Sequence, residues 1–239
     1  MMDRLNTCLE QWNIRLSDDM VLKFRDYYAL LREWNSFMNL TAIIEEDEVI
    51  DKHFVDSLAL GHYMELKDQS LLDLGTGAGF PGIPLKIVYP GLRITLADSQ
   101  QKRLRFLDTV IRELALDQIT TVHGRAEDLA NDPNYREQFD LCASRAVANL
   151  TTLSEYCLPF VKTGGTFVPY KAEKTEEELT QAGYAISVLG GSLDRVESYM
   201  LPGSDLNRTL LFIRKIKKTP GKYPRKAGSP SKEPLVKRG

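Results

Sequence analysis

Asp73-Leu74-Gly75-Thr76-Gly77-Ala78-Gly79-Phe80-Pro81-Gly82 follows directly on the short apolar run at 71–74. Glycines at alternate positions permit a tight turn and a close approach of backbone to a bound ligand. Pro84 suits the first turn of a helix, where its missing N–H costs nothing. A strand, a glycine turn and a helix in that order open a nucleotide-type site at the carboxyl edge of a parallel sheet.

Outward from this loop, strand and helix alternate. Strands are expected at 71–74, 93–97, 119–122, 139–144 and 165–170, with helices near 82–88, 99–116, 149–161 and 175–189. Such alternation gives a parallel sheet covered on both faces. Two further strands at 193–201 and 208–216 are separated only by Pro202-Gly203-Ser204-Asp205 and its neighbours. With no helix to cross over, they form an antiparallel hairpin. The expected fold is therefore α/β: a Rossmann-like, seven-stranded class I methyltransferase sheet whose last two strands are a hairpin. A dinucleotide fold would continue with helix-linked parallel strands instead.

The choice of cofactor rests on context, because Gly77-Ala78-Gly79-Phe80-Pro81-Gly82 also matches the G-x-G-x-x-G dinucleotide pattern. Asp73 suits the cationic methionyl end of S-adenosylmethionine and would repel a pyrophosphate. Pro81 removes a backbone donor where a pyrophosphate would want one. These residues favour S-adenosylmethionine over NAD, held by Gly75, Gly77 and Gly79. Asp98, closing the second strand, is placed to accept from the ribose hydroxyls. After the third strand, the Ala126 amide and Glu127 carboxylate are candidates for the adenine edge; alternatively Glu127 and Asp128 simply open a short helix. Arg145, after the fourth strand, needs an anionic or hydrogen-bonding partner. That partner is either a ligand or one of Glu127 and Asp128.

Three regions are expected: a helical extension at 1–65, the methyltransferase domain at 66–217 and a basic tail at 218–239. In the first, Val21, Phe24, Tyr28, Leu31 and Trp34 recur at helical spacing over 18–38, with Ser17 or Asp18 as N-cap. A second helix is expected over 45–64. The overall charge of −2 hides an asymmetry, since 214–239 holds ten Lys or Arg against Glu233 alone, leaving 21 bases and 32 acids over 1–213. Pro220, Pro224, Pro230 and Pro234 argue against regular structure there. The tail, including Lys218, Lys222, Arg225, Lys226, Lys232, Lys237 and Arg238, is expected to be an arm that binds a polyanion.

Among the 239 residues no apolar run reaches the length of a membrane span, and Met1-Met2-Asp3-Arg4 does not open a signal peptide. Cys8, Cys142 and Cys157 lack metal or disulfide spacing, and His53, His62 and His123 form no H-E-x-x-H pattern. The expectation is a cytoplasmic monomer without a metal.

The acceptor is narrowed by what is missing. Ser144-Arg145-Ala146-Val147 replaces the D/N-P-P-Y type loop of exocyclic amine methylation. Cys142 and Cys157 both fit core positions, so a nucleophile for pyrimidine C5 is lacking. Guanine N7 has a free lone pair and loses no proton, so positioning and exclusion of water suffice.

Glu33-Trp34-Asn35 with Asn39-Leu40-Thr41, His53-Phe54-Val55-Asp56-Ser57, the glycine loop with Ile83-Pro84, Ala126-Glu127, Ser144-Arg145-Ala146 and Tyr223-Pro224-Arg225-Lys226-Ala227-Gly228-Ser229-Pro230 run the length of the chain. With these motifs the sequence resembles the bacterial small-subunit ribosomal RNA guanine-N7 methyltransferases, the glucose-inhibited division protein B family. The resemblance implies that Gly75, Phe80, Asp98, Ala126, Glu127 and Arg145 contact the cofactor. It also implies that the substrate is a guanine in the 530 loop of 16S rRNA, within the RNA or the small subunit. Asn35 and Asn39, four apart at a helix end, are candidates to frame a polar substrate pocket, with Trp34 packing or stacking on a base. Helix termination explains the same asparagines. His53 and Asp56, three apart, are candidates to pair with each other. Lys171 resembles the family's lysine after the fifth strand, and Arg225 and Lys226 are candidate RNA contacts. A small-molecule or protein methyltransferase would leave the basic tail idle, whereas an assembly factor that binds the cofactor without turnover would not.

Overall fold

The computed structural model describes residues 2–145, 147–172 and 175–237. A seven-stranded sheet runs in the order β3-β2-β1-β4-β5-β7-β6. Its parallel strands are β1 (Ser70–Leu74), β2 (Arg93–Asp98), β3 (Ile119–His123), β4 (Phe139–Arg145) and β5 (Val161–Ala172). The hairpin of β6 (Gly191–Met200) and β7 (Asn207–Lys215) closes the sheet, with β7 antiparallel to β5. Strand order therefore reverses between β1 and β4, which leaves a crevice at their carboxyl ends.

Alternation along each strand divides the core in two. Leu71, Ile94, Leu96, Ala143, Val168 and Phe212 face one layer, and Leu72, Leu74, Cys142, Phe167, Leu211 and Ile213 the other. On the first face lie α1 (Met2–Glu10), α2 (Asp18–Met38), α3 (Glu46–Val49), α4 (Asp56–Tyr63), α5 (Gly82–Val88) and α6 (Gln101–Glu113). The N-terminal helices thus share one hydrophobic layer with the sheet: Leu5, Leu9, Phe24, Tyr27 and Phe54 are fully buried beside Ile83 and Phe106. On the other face lie α7 (Ala126–Leu129), α8 (Leu150–Cys157), α9 (Thr175–Val188) and α10 (Ser229–Lys232). Cys142 and Cys157 are buried in this layer, as core positions should be.

The α2 bounds are those set by its cap, since Ser17 accepts from the Met20 amide and Asn39 ends the helix in the left-handed conformation at φ 49°. The helix expected over 45–64 is interrupted: Ile50–Val55 adopts a π turn between α3 and α4. Such widened turns recur at functional sites, and this one carries Lys52 and His53.

The tail departs from its expectation. Beyond Lys217 the chain folds back over α8. Tyr223 is 7% exposed, and Pro224 and Pro230 are buried. Arg136 donates to the carbonyls of Thr219 and Tyr223 at 3.0 and 2.9 Å. Thr152 Oγ1 donates to the Pro230 carbonyl at 3.1 Å. Prolines prevent a long helix or strand, but they do not prevent docking. Arg238 lies outside the described residues, as does Ala146.

Candidate active site

The glycine loop leaves β1 with Gly75 at φ 71° and Gly77 at φ 60°, conformations that cost a side-chain-bearing residue energy. Asp73 lies beneath this loop, fully buried. Its Oδ2 accepts from Thr76 Oγ1 at 2.7 Å and from the Gly82 amide at 2.8 Å, while Oδ1 has no hydrogen-bond partner. Burial raises its pKa to about 6, against the lowering effect of those two donors. Asp73 was expected to face the methionyl end of the cofactor; instead the strand's alternation turns it inward, where it caps the first turn of α5. Gly79 is also turned away from the ligand space. A Cβ there would lie 2.6 Å from Ile83, 2.8 Å from Tyr27 Oη and 2.9 Å from Leu107. Its glycine is required by the protein interior, and it lines neither of the cavities described next.

Two cavities open along the carboxyl edge and share Gly75 and Arg103. One, of about 450 Å³, is bounded by Gly75, Asp98, Ser99, Arg103, Gly124 through Glu127, Val147 and Tyr156. Asp98 is 4% exposed and is braced on all sides: Oδ2 accepts from the Gly77 amide at 3.0 Å and from Arg103 at 3.2 Å, and Oδ1 from the Gln100 amide at 2.8 Å. Ala126 begins α7. Glu127, 6% exposed, both opens that helix and accepts from the Gly228 amide at 2.8 Å. Gly228 and Ser231 of the tail complete the wall.

The other cavity, of about 580 Å³, is bounded by Gly75 through Ala78, Phe80, Thr41, Lys52, His53, Asp56, Arg145, Lys171 and Arg208, among others. Arg145 organises it. Its Nη1 donates to Asp56 Oδ2 at 2.9 Å and to the Lys52 carbonyl at 3.1 Å, and its guanidinium lies 5.1 Å from the Phe80 ring centroid. Of the two partners open from sequence, a ligand or one of Glu127 and Asp128, the ion pair with Glu127 or Asp128 is not made, and Asp56 takes its place. Asp56 is only 3% exposed and also meets Arg208 and Tyr199 Oη, each at 3.4 Å. His53 stacks on Phe80 at 4.4 Å and 21°, with Nε2 3.0 Å from Thr41 Oγ1 and Nδ1 3.3 Å from Arg145. Burial, and then the charge of Arg145, lowers its pKa to about 3, so His53 is neutral at physiological pH. His53 and Asp56 are joined through Arg145, not to each other.

The asparagines end the helix. Asn35 Oδ1 accepts from the Thr41 amide at 2.9 Å, Asn39 is the C-cap, and neither lines either of these two cavities. Trp34 packs on Phe37 and Phe106 at 5.5 and 5.7 Å. Lys171 does line the Arg145 cavity, bonded to the Ala148 carbonyl at 3.2 Å and to Glu178 at 2.7 Å. Arg225 is committed to Glu155, whose carboxylate is 1% exposed and takes its amide, Nε and Nη2 at 2.6–2.9 Å. Arg225 is therefore held against the body of the protein, while Lys226 is exposed. Sequence reasoning passed over Arg103, Tyr156, Arg208 and Ser231. Arg103 carried a signal, as a base in the first turn after Asp98; the others reach the site only by tertiary docking.

The residues present fit a nucleoside-bearing methyl donor. The cavities have the size of small-molecule sites, a carboxylate ends β2, and a Cβ at Gly77 would meet nothing nearer than Gly75 O at 4.0 Å. Among the described residues there is no cluster able to hold a metal ion and no helix long and apolar enough to cross a membrane.

The family model described as rRNA small subunit methyltransferase G matches residues 20–207. A protein of that name from Lachnoclostridium phytofermentans is 52% identical over 231 residues, 96% of each chain. Another from Acetivibrio thermocellus is 49% identical over 94% of this chain and 93% of its own. Among solved structures, TrmN from Thermus thermophilus superposes with a TM-score of 0.52 at 16% identity, covering 70% of this chain and 53% of that one. P. horikoshii TYW2 in complex with MeSAdo gives 0.53 at 15% identity, covering 72% and 64%. These two likenesses concern the fold alone.

Proposed function

The chain belongs to the rRNA small subunit methyltransferase G family, and from that premise we propose that it methylates N7 of a guanine in the 530 loop of 16S rRNA, presented in the small subunit or its precursor. It is an S-adenosylmethionine-dependent rRNA methyltransferase. The observation that carries the finer reading is the shared Gly75 wall, which sets a carboxylate-floored cavity against a cationic one.

S-adenosylmethionine supplies a methyl group activated by its sulfonium. Gly75, Asp98, Ala126 and Glu127 would hold its nucleoside, with Asp98 accepting from the ribose, and Gly77, on the Arg145 cavity, would face its methionyl end. The acceptor base enters the Arg145 cavity, next to Phe80. Guanine N7 attacks with a lone pair already available, so no side chain takes a proton before transfer. Neutral His53 is consistent with that: it contributes a stacked wall and no base. Arg145, fixed by Asp56 and the Lys52 carbonyl, offers guanidinium donors to the base carbonyl, the pairing that arginine makes with guanine O6. Lys171 and Arg208 add positive charge where a phosphate passes. Catalysis is then positioning and exclusion of water.

The test is methylation of extracted 16S rRNA and of intact small subunits with isotopically labelled donor, followed by nucleoside analysis. Label in 7-methylguanosine supports the reading. Label in another nucleoside, or in a small molecule or protein only, defeats it.

A further inference from the structure

The tail is built into the wall of the Asp98 cavity. We propose that the C-terminal segment forms the outer wall of the cavity holding the nucleoside of S-adenosylmethionine, with Gly228 and Ser231 as cofactor-contacting positions. This rests on the assignment of the Asp98 cavity to that cofactor.

Three anchors bring the segment there, and each uses a group that would be costly to leave unpaired. Arg136 gathers the carbonyls of Thr219 and Tyr223. Glu155, 1% exposed, is neutralised by Arg225 at 2.6 Å. Glu127, 6% exposed, receives the Gly228 amide. The third is the informative one, because Glu127 and Gly228 line the same cavity. One carboxylate thus fixes the tail and walls the ligand space. Gly228 turns at φ 82°, where a Cβ would meet nothing within 4 Å, and this bend lays the start of α10 along the cavity rim. Ser231 follows with an exposed side chain, its hydroxyl 3.1 Å from the Gly228 carbonyl.

The charges on the segment are sorted by face. Arg225 points inward to Glu155, whereas Lys222, Lys226 and Lys232 are exposed. A segment serving only as an RNA arm has no use for the inward contacts. Since the cofactor touches the docked tail, binding and docking are linked, and each favours the other by the same factor.

Two measurements with S-adenosylhomocysteine as probe decide this. In Ser231→Phe the ring occupies ligand space from an exposed position, so the Kd by calorimetry should rise at least about tenfold with the melting temperature of the free protein unchanged. In the wild-type chain, saturating probe should slow tryptic cleavage at Lys222, Lys226 and Lys232 severalfold, because cleavage follows the opened population. Wild-type affinity in Ser231→Phe together with unaltered cleavage overturns the proposal. Asp98→Ala separates the two levels: if it also binds normally, the cavity assignment itself fails. If Asp98→Ala loses binding while Ser231→Phe and the cleavage rates are unaffected, only the role of the tail fails.

Discussion

Gly77 and Gly79 belong to one motif, yet alanine should harm the protein differently at each. At Gly79, φ is 102° and a Cβ would lie 2.6–2.9 Å from Ile83, Tyr27 and Leu107. Tyr27 is itself fixed, fully buried with its hydroxyl 2.5 Å from the Ala78 carbonyl. Overpacking of a core site costs about 1–3 kcal/mol and the backbone conformation about another 1–3 kcal/mol. A total near 3–4 kcal/mol corresponds to a Tm lowered by roughly 10 °C for a chain of this size. At Gly77 the space is open and φ is 60°, so alanine costs only about 1–2 kcal/mol and a Tm shift of a few degrees. Its methyl group, however, enters the Arg145 cavity beside Gly75, where the amino-acid end of the cofactor would lie, and should weaken S-adenosylhomocysteine binding at least about tenfold. Thermal unfolding and calorimetry on both variants provide the comparison. Equal Tm losses, or Gly79→Ala within about 2 °C of wild type, would refute the division of labour within the loop.

Arg145→Ala should reduce methylation at least about a hundredfold while lowering Tm by only several degrees, because Asp56 keeps Arg208 and Tyr199 as partners; normal turnover in a strongly destabilised variant would make Arg145 structural. Burial raises the Asp73 pKa to about 6 from 3.8, so the native state holds the proton more tightly than the unfolded chain. Its contribution to stability is greatest below about pH 3.8 and falls as pH rises to about 6, by roughly 3 kcal/mol. Relative to Asp73→Asn, the wild-type chain should therefore lose stability between pH 4 and 6.5 in urea titrations, and a parallel pH dependence would show that Asp73 does not ionise in the core. Because His53 is held neutral down to about pH 3 and N7 needs no base, the methylation rate should be flat between about pH 7 and 8.5; a slope across that window, in His53→Gln as a control lost, would assign a proton transfer to His53.

The fold was legible because its signals are local. Ser17, the periodic apolar residues and Asn39 define α2 from neighbouring positions alone, and the absence of a helix between β6 and β7 dictates their hairpin. The cofactor loop was legible for the same reason, but the direction of each residue within it was not. Asp73 and Gly79 look like ligand positions in the motif, and only the strand's pleat and the arrival of Tyr27 from α2 turn them inward. Partners distant in sequence were the least readable. Arg145 finds Asp56 across 89 positions and Arg225 finds Glu155 across 70. The tail misled for a related reason: its composition is that of a solvated arm, and the two buried glutamates that recruit it lie in α7 and α8, short helices in which a glutamate ordinarily faces solvent.

The central claim, methyl transfer to one guanine N7 of small-subunit rRNA, is tested most directly by mass mapping of 16S rRNA from cells with and without the gene, complemented by the wild-type chain or by Arg145→Ala. The account predicts a single 7-methylguanosine in the 530 loop that disappears on deletion, returns with the wild-type chain and stays absent with Arg145→Ala. An unmodified loop in wild-type cells, or a modification that persists after deletion, would contradict it.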